Sequence, residues 1–287
     1  MRKSLFIGAY LFATTISFAN AEQVCGIGED DCKTPNGAYN IELPQGTKAD
    51  SKIPAMIYFH GAGGSGQRSL KNRDMVETFL NRGYAVIAPS GLKRPNSRFG
   101  PGWSFHPNRK VQRDELTFAD EVMNDASARF NIDRENILMT GFSIGGSLTW
   151  YLACKDANIA KAYAPVAGAF WRPHPEEDSC NGPVKLLHTH GWRDTTVPLE
   201  GRVLGGGRIK QGDVFYSLQL MRIVNGCDQL RADKFENDGK YWKRWWTRCA
   251  PNSELQFNLF DGGHSVPKGW ATEAINWFEG LDDKKQG

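Results

Sequence analysis

Along this chain, short apolar runs alternate with segments whose apolar positions recur every three or four residues. The runs at 39–43, 55–60, 85–88, 137–140, 162–166, 185–188 and 255–259 have the length of strands. Several are apolar at nearly every position, as strands are when helices cover both faces of a sheet. Between them, residues 75–81 and 114–130 carry helical spacing. In the second, Leu116, Ala119, Val122, Met123 and Ala126 fall on one face. Residues 143–154, 214–224 and 270–281 are further expected helices. Strands alternating with helices predict an α/β fold class on a mostly parallel sheet. No repeat, long linker or run of like charge interrupts the pattern, so residues 22–287 are expected to form one domain.

The first residues follow a different rule. Arg2 and Lys3 precede an apolar stretch from Leu5 to Phe18, and Ala19-Asn20-Ala21 places small residues where a leader is cut. Residues 1–21 therefore read as a secretory signal peptide, removed before Glu22. The apolar stretch is shorter than the roughly 20 residues a membrane span needs, and no later segment is long and apolar enough to serve as one. Losing Arg2 and Lys3 reduces 35 basic residues to 33, against 32 acidic. That near-balance offers no electrostatic reason to expect nucleic acid or an anionic membrane as partner. With 40% hydrophobic and 23% charged residues, disordered and fibrous classes are excluded as well.

All six cysteines fall after the expected cut. An even number in an exported chain points to disulfides, although six cysteines allow 15 pairings. Nearest-neighbour pairing, Cys25–Cys32, Cys154–Cys180 and Cys227–Cys249, is the expectation. No spacing resembles a CxxC metal or redox motif, so no metal is expected.

The candidate chemistry begins at Gly141-Phe142-Ser143-Ile144-Gly145, a G-x-S-x-G match. By itself such a match is weak. Here a buried-strand run precedes it and a helical pattern follows, which is the setting of a nucleophile elbow. Small residues are needed where strand and helix meet so sharply, and the helix N-terminus favours developing negative charge. The competing assignment is an ordinary helix cap.

A serine hydroxyl needs a base, and the base an acid to orient it. Six histidines compete. His264 lies in Asp261-Gly262-Gly263-His264, a glycine-rich turn after an expected strand, which suits a side chain that must reach the serine. His188 and His190 belong to a strand and its end, where a packed histidine is the commoner outcome. His106 and His174 sit in Pro-rich loops and could touch substrate. For the acid, Asp194 follows another strand, in Gly191-Trp192-Arg193-Asp194, and the order Ser143, Asp194, His264 is that of α/β hydrolases. Asp261 is the local rival, three residues before His264, where it is expected to shape the turn. His60-Gly61-Ala62-Gly63-Gly64-Ser65-Gly66 matches neither phosphate-binding glycine pattern and instead looks like an oxyanion loop. The backbone N–H groups of Ala62 and Ile144 are the expected oxyanion donors.

Together, the His60–Ser65 loop, the Gly141–Gly146 elbow, Asp194 with Val197-Pro198, and Gly262-Gly263-His264 resemble the polyhydroxybutyrate depolymerase and feruloyl esterase-like family of secreted serine esterases. The resemblance spans nearly the whole mature chain. It implies the α/β-hydrolase fold, a mostly parallel central sheet of about eight strands with helices on both faces, and no cofactor. Ala62 stands where many relatives carry Cys. No room follows Gly287 for a polymer-binding domain, so soluble hydroxyalkanoate oligomers or short acyl and aryl esters are the expected substrates. Feruloyl or acetylxylan-type esters, a serine peptidase of the same fold and a non-catalytic binding module are the alternatives.

His60, Trp103, Trp171 and Trp192 are expected to line the substrate pocket, since their loops fall at the carboxyl ends of strands. The alternative for each Trp is to plug the protein's own core. Tyr241 to Trp246 mixes aromatics with bases between Cys227 and Cys249, and is expected to form a stapled, packed excursion.

Overall fold

The computed structural model describes residues 25–26, 30–47, 51–95 and 100–283. The expected leader over residues 1–21 lies outside them. In chain order the strands are β1 (Cys32–Thr34), β2 (Gly37–Glu42), β3 (Ile53–Phe59), β4 (Ala85–Pro89), β5 (Ile132–Phe142), β6 (Ala162–Val166), β7 (Trp171–Arg172), β8 (Lys185–Gly191), β9 (Val203–Leu204), β10 (Ile209–Gln211), β11 (Lys234–Asn237), β12 (Tyr241–Trp246) and β13 (Glu254–Phe260). The helices are α1 (Gly66–Leu70), α2 (Arg73–Leu80), α3 (Glu115–Phe130), α4 (Ile144–Lys155), α5 (Val214–Val224) and α6 (Trp270–Asp283).

The main sheet runs β1-β2-β4-β3-β5-β6-β8-β13-β12-β11. Its six central strands, from β4 to β13, are parallel. An antiparallel pair closes each edge. Strands β7, β10 and β9 make a small second sheet. The near-continuous apolar runs now have a cause. Along β3, Ala55, Ile57 and Phe59 pack under α3, α4 and α5, whereas Met56 and Tyr58 pack under α2 and α6. Both faces are covered, so no position is left for a polar residue. Each large side chain so buried contributes roughly 1.5–3 kcal/mol.

The expected helices form, with ends shifted by at most a few residues. Asp114 stands outside α3 as its cap, accepting from the Leu116 and Thr117 N–H groups. The sheet has ten strands where about eight were expected. Part of the difference is β12, which is no separate excursion but a strand paired with β13. Its buried positions are Tyr241, Lys243 and Trp246, so a buried lysine breaks the apolar pattern. Lys243 tolerates burial because Asp238 and Glu273 lie 3.0 and 2.6 Å away.

The disulfides are Cys25–Cys32, Cys154–Cys180 and Cys227–Cys249, the nearest-neighbour set. The last closes the segment that carries β11 and β12. No helix among the described residues is long and apolar enough to cross a membrane.

Candidate active site

Ser143 occupies the sharp turn between β5 and α4, with φ 58° and ψ −121°. Positive φ in a residue with a Cβ is strained, and the surrounding packing must hold it. Gly145 shows how tightly it does so. A Cβ on Gly145 would lie 2.0 Å from the Phe59 carbonyl oxygen, and one on Gly141 would lie 2.4 Å from that of Gly145. Only glycines let α4 start this close to β3. The Ser143 N–H donates to Val166 O across the sheet.

Three side chains remote in sequence converge here. Ser143 Oγ lies 2.9 Å from His264 Nε2, and His264 Nδ1 lies 2.7 Å from Asp194 Oδ2. Asp194 is buried, and its other oxygen accepts from the N–H groups of Thr196 and Val197 at 2.9 and 2.8 Å. Burial by itself would raise the Asp194 pKa. Hydrogen bonds from His264 and the Val197 N–H overcome it and hold the carboxyl below its ordinary range. The ring of Phe142, next to the serine, packs on the His264 imidazole at 4.7 Å. Asp261 stays outside this line; it pairs with Arg193 at the surface.

A depressed carboxyl pKa stabilises a fold above the unfolded-state value of about 4, and the contribution is lost as pH falls through the folded value. The stability difference between the wild type and Asp194→Asn is therefore expected to be full at neutral pH and to shrink below about pH 4. Urea titrations at several pH values measure it. A difference independent of pH would mean that Asp194 is not held ionised.

The loop after β3 lies against the serine. A Cβ on Gly61 would be 3.4 Å from Ser143 Cβ. Gly63 and Gly64 spend their N–H groups on Pro101 O and Gly61 O. Ala62 is exposed beside them. Ile144 opens α4, so its N–H belongs to the first-turn donors that have no acceptor within the helix.

Two of the expected pocket aromatics, and His60, do other work. His60 is buried; its Nδ1 meets Gly61 O at 2.7 Å and its Nε2 accepts from the Gly91 N–H at 2.9 Å. Trp103 is buried too, and its indole N–H donates to His60 O. Both brace the 61–64 loop from behind instead of facing substrate. Trp171 is likewise buried, donating to Ser147 Oγ. In each case the tertiary fold supplies a partner that the polar atom would otherwise seek in water. Trp192 is 59% exposed. It lines a groove of about 400 Å³ with Phe215, Phe235, Trp242 and Phe257, along the β11–β13 side of the sheet.

The sequence carried no sign of a further brace. Arg113 and Glu115 form a buried ion pair at 2.8 Å, Glu115 accepts from the Ser104 N–H, and the Arg113 guanidinium lies 3.6 Å over Phe118. This pair anchors the stretch that carries Trp103.

Residues 42–204, just over half of the chain, match the dienelactone hydrolase family. The chain belongs to that family. This dienelactone hydrolase family member is 23% identical to the probable feruloyl esterase C of Aspergillus niger, with 92% of each chain covered. To feruloyl esterase C of Emericella nidulans it is 26% identical, covering 89% of this chain and 90% of the other. Among solved structures it is similar to the acetyl xylan esterase from Aspergillus awamori, with a TM-score of 0.63 at 16% identity over 86% of this chain and 94% of that one. The Bacillus cereus carboxylesterase has a TM-score of 0.54 at 15% identity, over 85% and 93%. At such identities the likeness shows the α/β-hydrolase fold. The dienelactone hydrolase family member is a hydrolase that acts on esters.

Proposed function

We propose that this family member is an exported serine carboxylesterase that hydrolyses esters of aromatic acids such as ferulate carried on plant polysaccharide. One observation carries the chemistry: an unbroken line of hydrogen bonds from Asp194 Oδ2 through His264 to Ser143 Oγ, at 2.7 and 2.9 Å. In this line the Ser143 hydroxyl donates to His264 Nε2, and the His264 Nδ1–H donates to Asp194. Ser143 Oγ attacks the ester carbonyl as its proton passes to Nε2. The imidazolium is stabilised by Asp194 and then protonates the departing alcohol. The backbone N–H groups of Ala62 and Ile144 receive the carbonyl oxygen as it becomes an oxyanion, each worth on the order of 3 kcal/mol of barrier. Water, activated by the same imidazole, releases the acid from the acyl-enzyme.

The acyl class is supported by the feruloyl esterases among the relatives. Export is supported by the leader pattern of residues 1–21 and by three disulfides. The catalytic unit is the single stretch from residue 22 onward, and its partner is a small-molecule or oligomeric ester substrate.

A panel of methyl ferulate, feruloylated arabinoxylan, acetylated xylan, hydroxybutyrate oligomers and a peptide anilide tests the proposal. The expected result is the highest kcat/KM on the feruloyl esters and none on the anilide. Preference for hydroxybutyrate oligomers would reassign the acyl group. Failure of a fluorophosphonate to label Ser143 would point to a binding module.

A further inference from the structure

Two fully buried imidazoles, His188 and His190, stand behind Asp194 on and just beyond the middle of β8. They form a chain of three contacts. His188 Nδ1 faces Pro165 O at 3.1 Å, His188 Nε2 faces His190 Nδ1 at 3.0 Å, and His190 Nε2 faces Val197 O at 2.8 Å. His190 Nε2 is also 3.4 Å from Asp194 Oδ2, the oxygen that holds His264. Trp150 and Phe257 pack on His188, so water has no access to the pair.

Counting protons decides how this chain is arranged. Both ends face oxygens that only accept, so three contacts call for three protons, whereas two neutral imidazoles carry two. One contact must go without. A bare His190 Nε2 would set a lone pair against a carbonyl and a carboxylate at once, the worst of the choices. A bare link between the rings would set two imidazole lone pairs face to face at 3.0 Å, an ordinary length for N–H···N. The longest contact, His188 Nδ1 to Pro165 O, bears the mismatch with least repulsion. A third proton would mend that contact but place a buried cation beside Asp194, in competition with the His264 imidazolium that catalysis needs. Burial pushes the pKa of both histidines down, which is in keeping with a neutral pair. The titratable groups facing the pair are Asp194 and, across it, His264.

We propose that His188 and His190 are positioning residues for Asp194. His188 donates from Nε2 to His190 Nδ1, which locks His190 in its Nε2–H tautomer. His190 then donates to Val197 O and Asp194 Oδ2 and holds the acid loop in register with His264. His188 thus acts on the triad without touching it. The inference rests on Asp194 being the triad acid.

Side-chain ¹⁵N–¹H correlation spectra of the wild type at neutral pH read the tautomers directly. Protons on Nε2 of both residues are expected. A proton on Nδ1 of either residue would overturn the proposal. His188→Phe leaves His190 Nδ1 buried without a donor, so the His190 Nε2–H is less polarised and a weaker donor to Asp194. On a small aryl ester, kcat is expected to fall about ten-fold at nearly constant KM. The acid limb of the pH profile is expected to move upward, because a carboxylate with a weaker second donor makes His264 more basic. His188→Gln, whose amide restores an N–H near the Nε2 position, should recover most of the loss. Wild-type kinetics and pH profile in His188→Phe would overturn the proposal, as would a His188→Gln enzyme no better than it. If His188→Phe does not fold, the wild-type spectra and His188→Gln still decide. An active Ser143→Ala would defeat the triad assignment whatever the tautomers, whereas an inactive one with His190 protonated on Nδ1 defeats only the positioning role.

Discussion

Ser143→Ala is expected to lower kcat on any ester substrate at least about 10³-fold, by comparison with removal of the nucleophile in other serine hydrolases. In the proposed mechanism the hydroxyl supplies the atom that bonds to the acyl carbon, and no second nucleophile stands in the His264–Asp194 line. The fold should survive. The turn is held by the Ser143 N–H to Val166 O, a backbone bond that Ala keeps, and by glycines whose neighbours do not change. Ala relieves none of the strain at φ 58° and adds none. Stability within about 1 kcal/mol of wild type is expected, so lost activity would report lost chemistry. Steady-state kinetics on an aryl ester together with thermal unfolding make the measurement. Near-normal turnover in a folded variant would remove Ser143 from the mechanism.

Gly145→Ala is expected to have the largest effect on stability. Its Cβ would sit 2.0 Å from Phe59 O, 2.5 Å from Phe59 C and 2.7 Å from His60 O. None of these is the movable end of a side chain. Either α4 retreats from β3 or β3 bends, and both elements are packed on every side. A loss of about 3 kcal/mol or more is expected, a fall in Tm of roughly 6–12 °C for a chain of this size. Activity should fall with it, because the same shift moves Ile144 away from the His60–Ala62 loop. Gly280→Ala is the control. It lies in α6 with nothing within 4 Å of the added atom, and should stabilise by up to about 1 kcal/mol. Equal melting temperatures for Gly145→Ala and wild type would show that the elbow yields more easily than its geometry implies.

Much of the site was legible in one dimension because its parts are local patterns. A strand run, two glycines around a serine and a helical period are all set within a dozen residues, and sterics leave few ways to join them. The order of Ser143, Asp194 and His264 could also be read. What could not be read was the use of side chains whose partners arrive from elsewhere. Trp103 and Trp171 look like pocket aromatics in sequence, yet their indole N–H groups are taken up by His60 O and Ser147 Oγ. Strand β12 hid behind Lys243, whose partners lie on other elements. His188 and His190 gave the opposite lesson. Packed histidines were expected there, and they are packed, but only the neighbouring strand and the Val197 turn reveal the chain of contacts leading to Asp194.

The amino-acid sequence alone determined the alternation of strands and helices and the elbow at Ser143. These follow from backbone sterics and burial periodicity, which act between near neighbours. The tertiary structure decided that Ser143 and His264, 121 positions apart, stand 2.9 Å from each other, and that two buried imidazoles lie behind Asp194. Such contacts depend on which strands lie side by side and in what register, and that is settled only when the whole sheet closes over both of its cores.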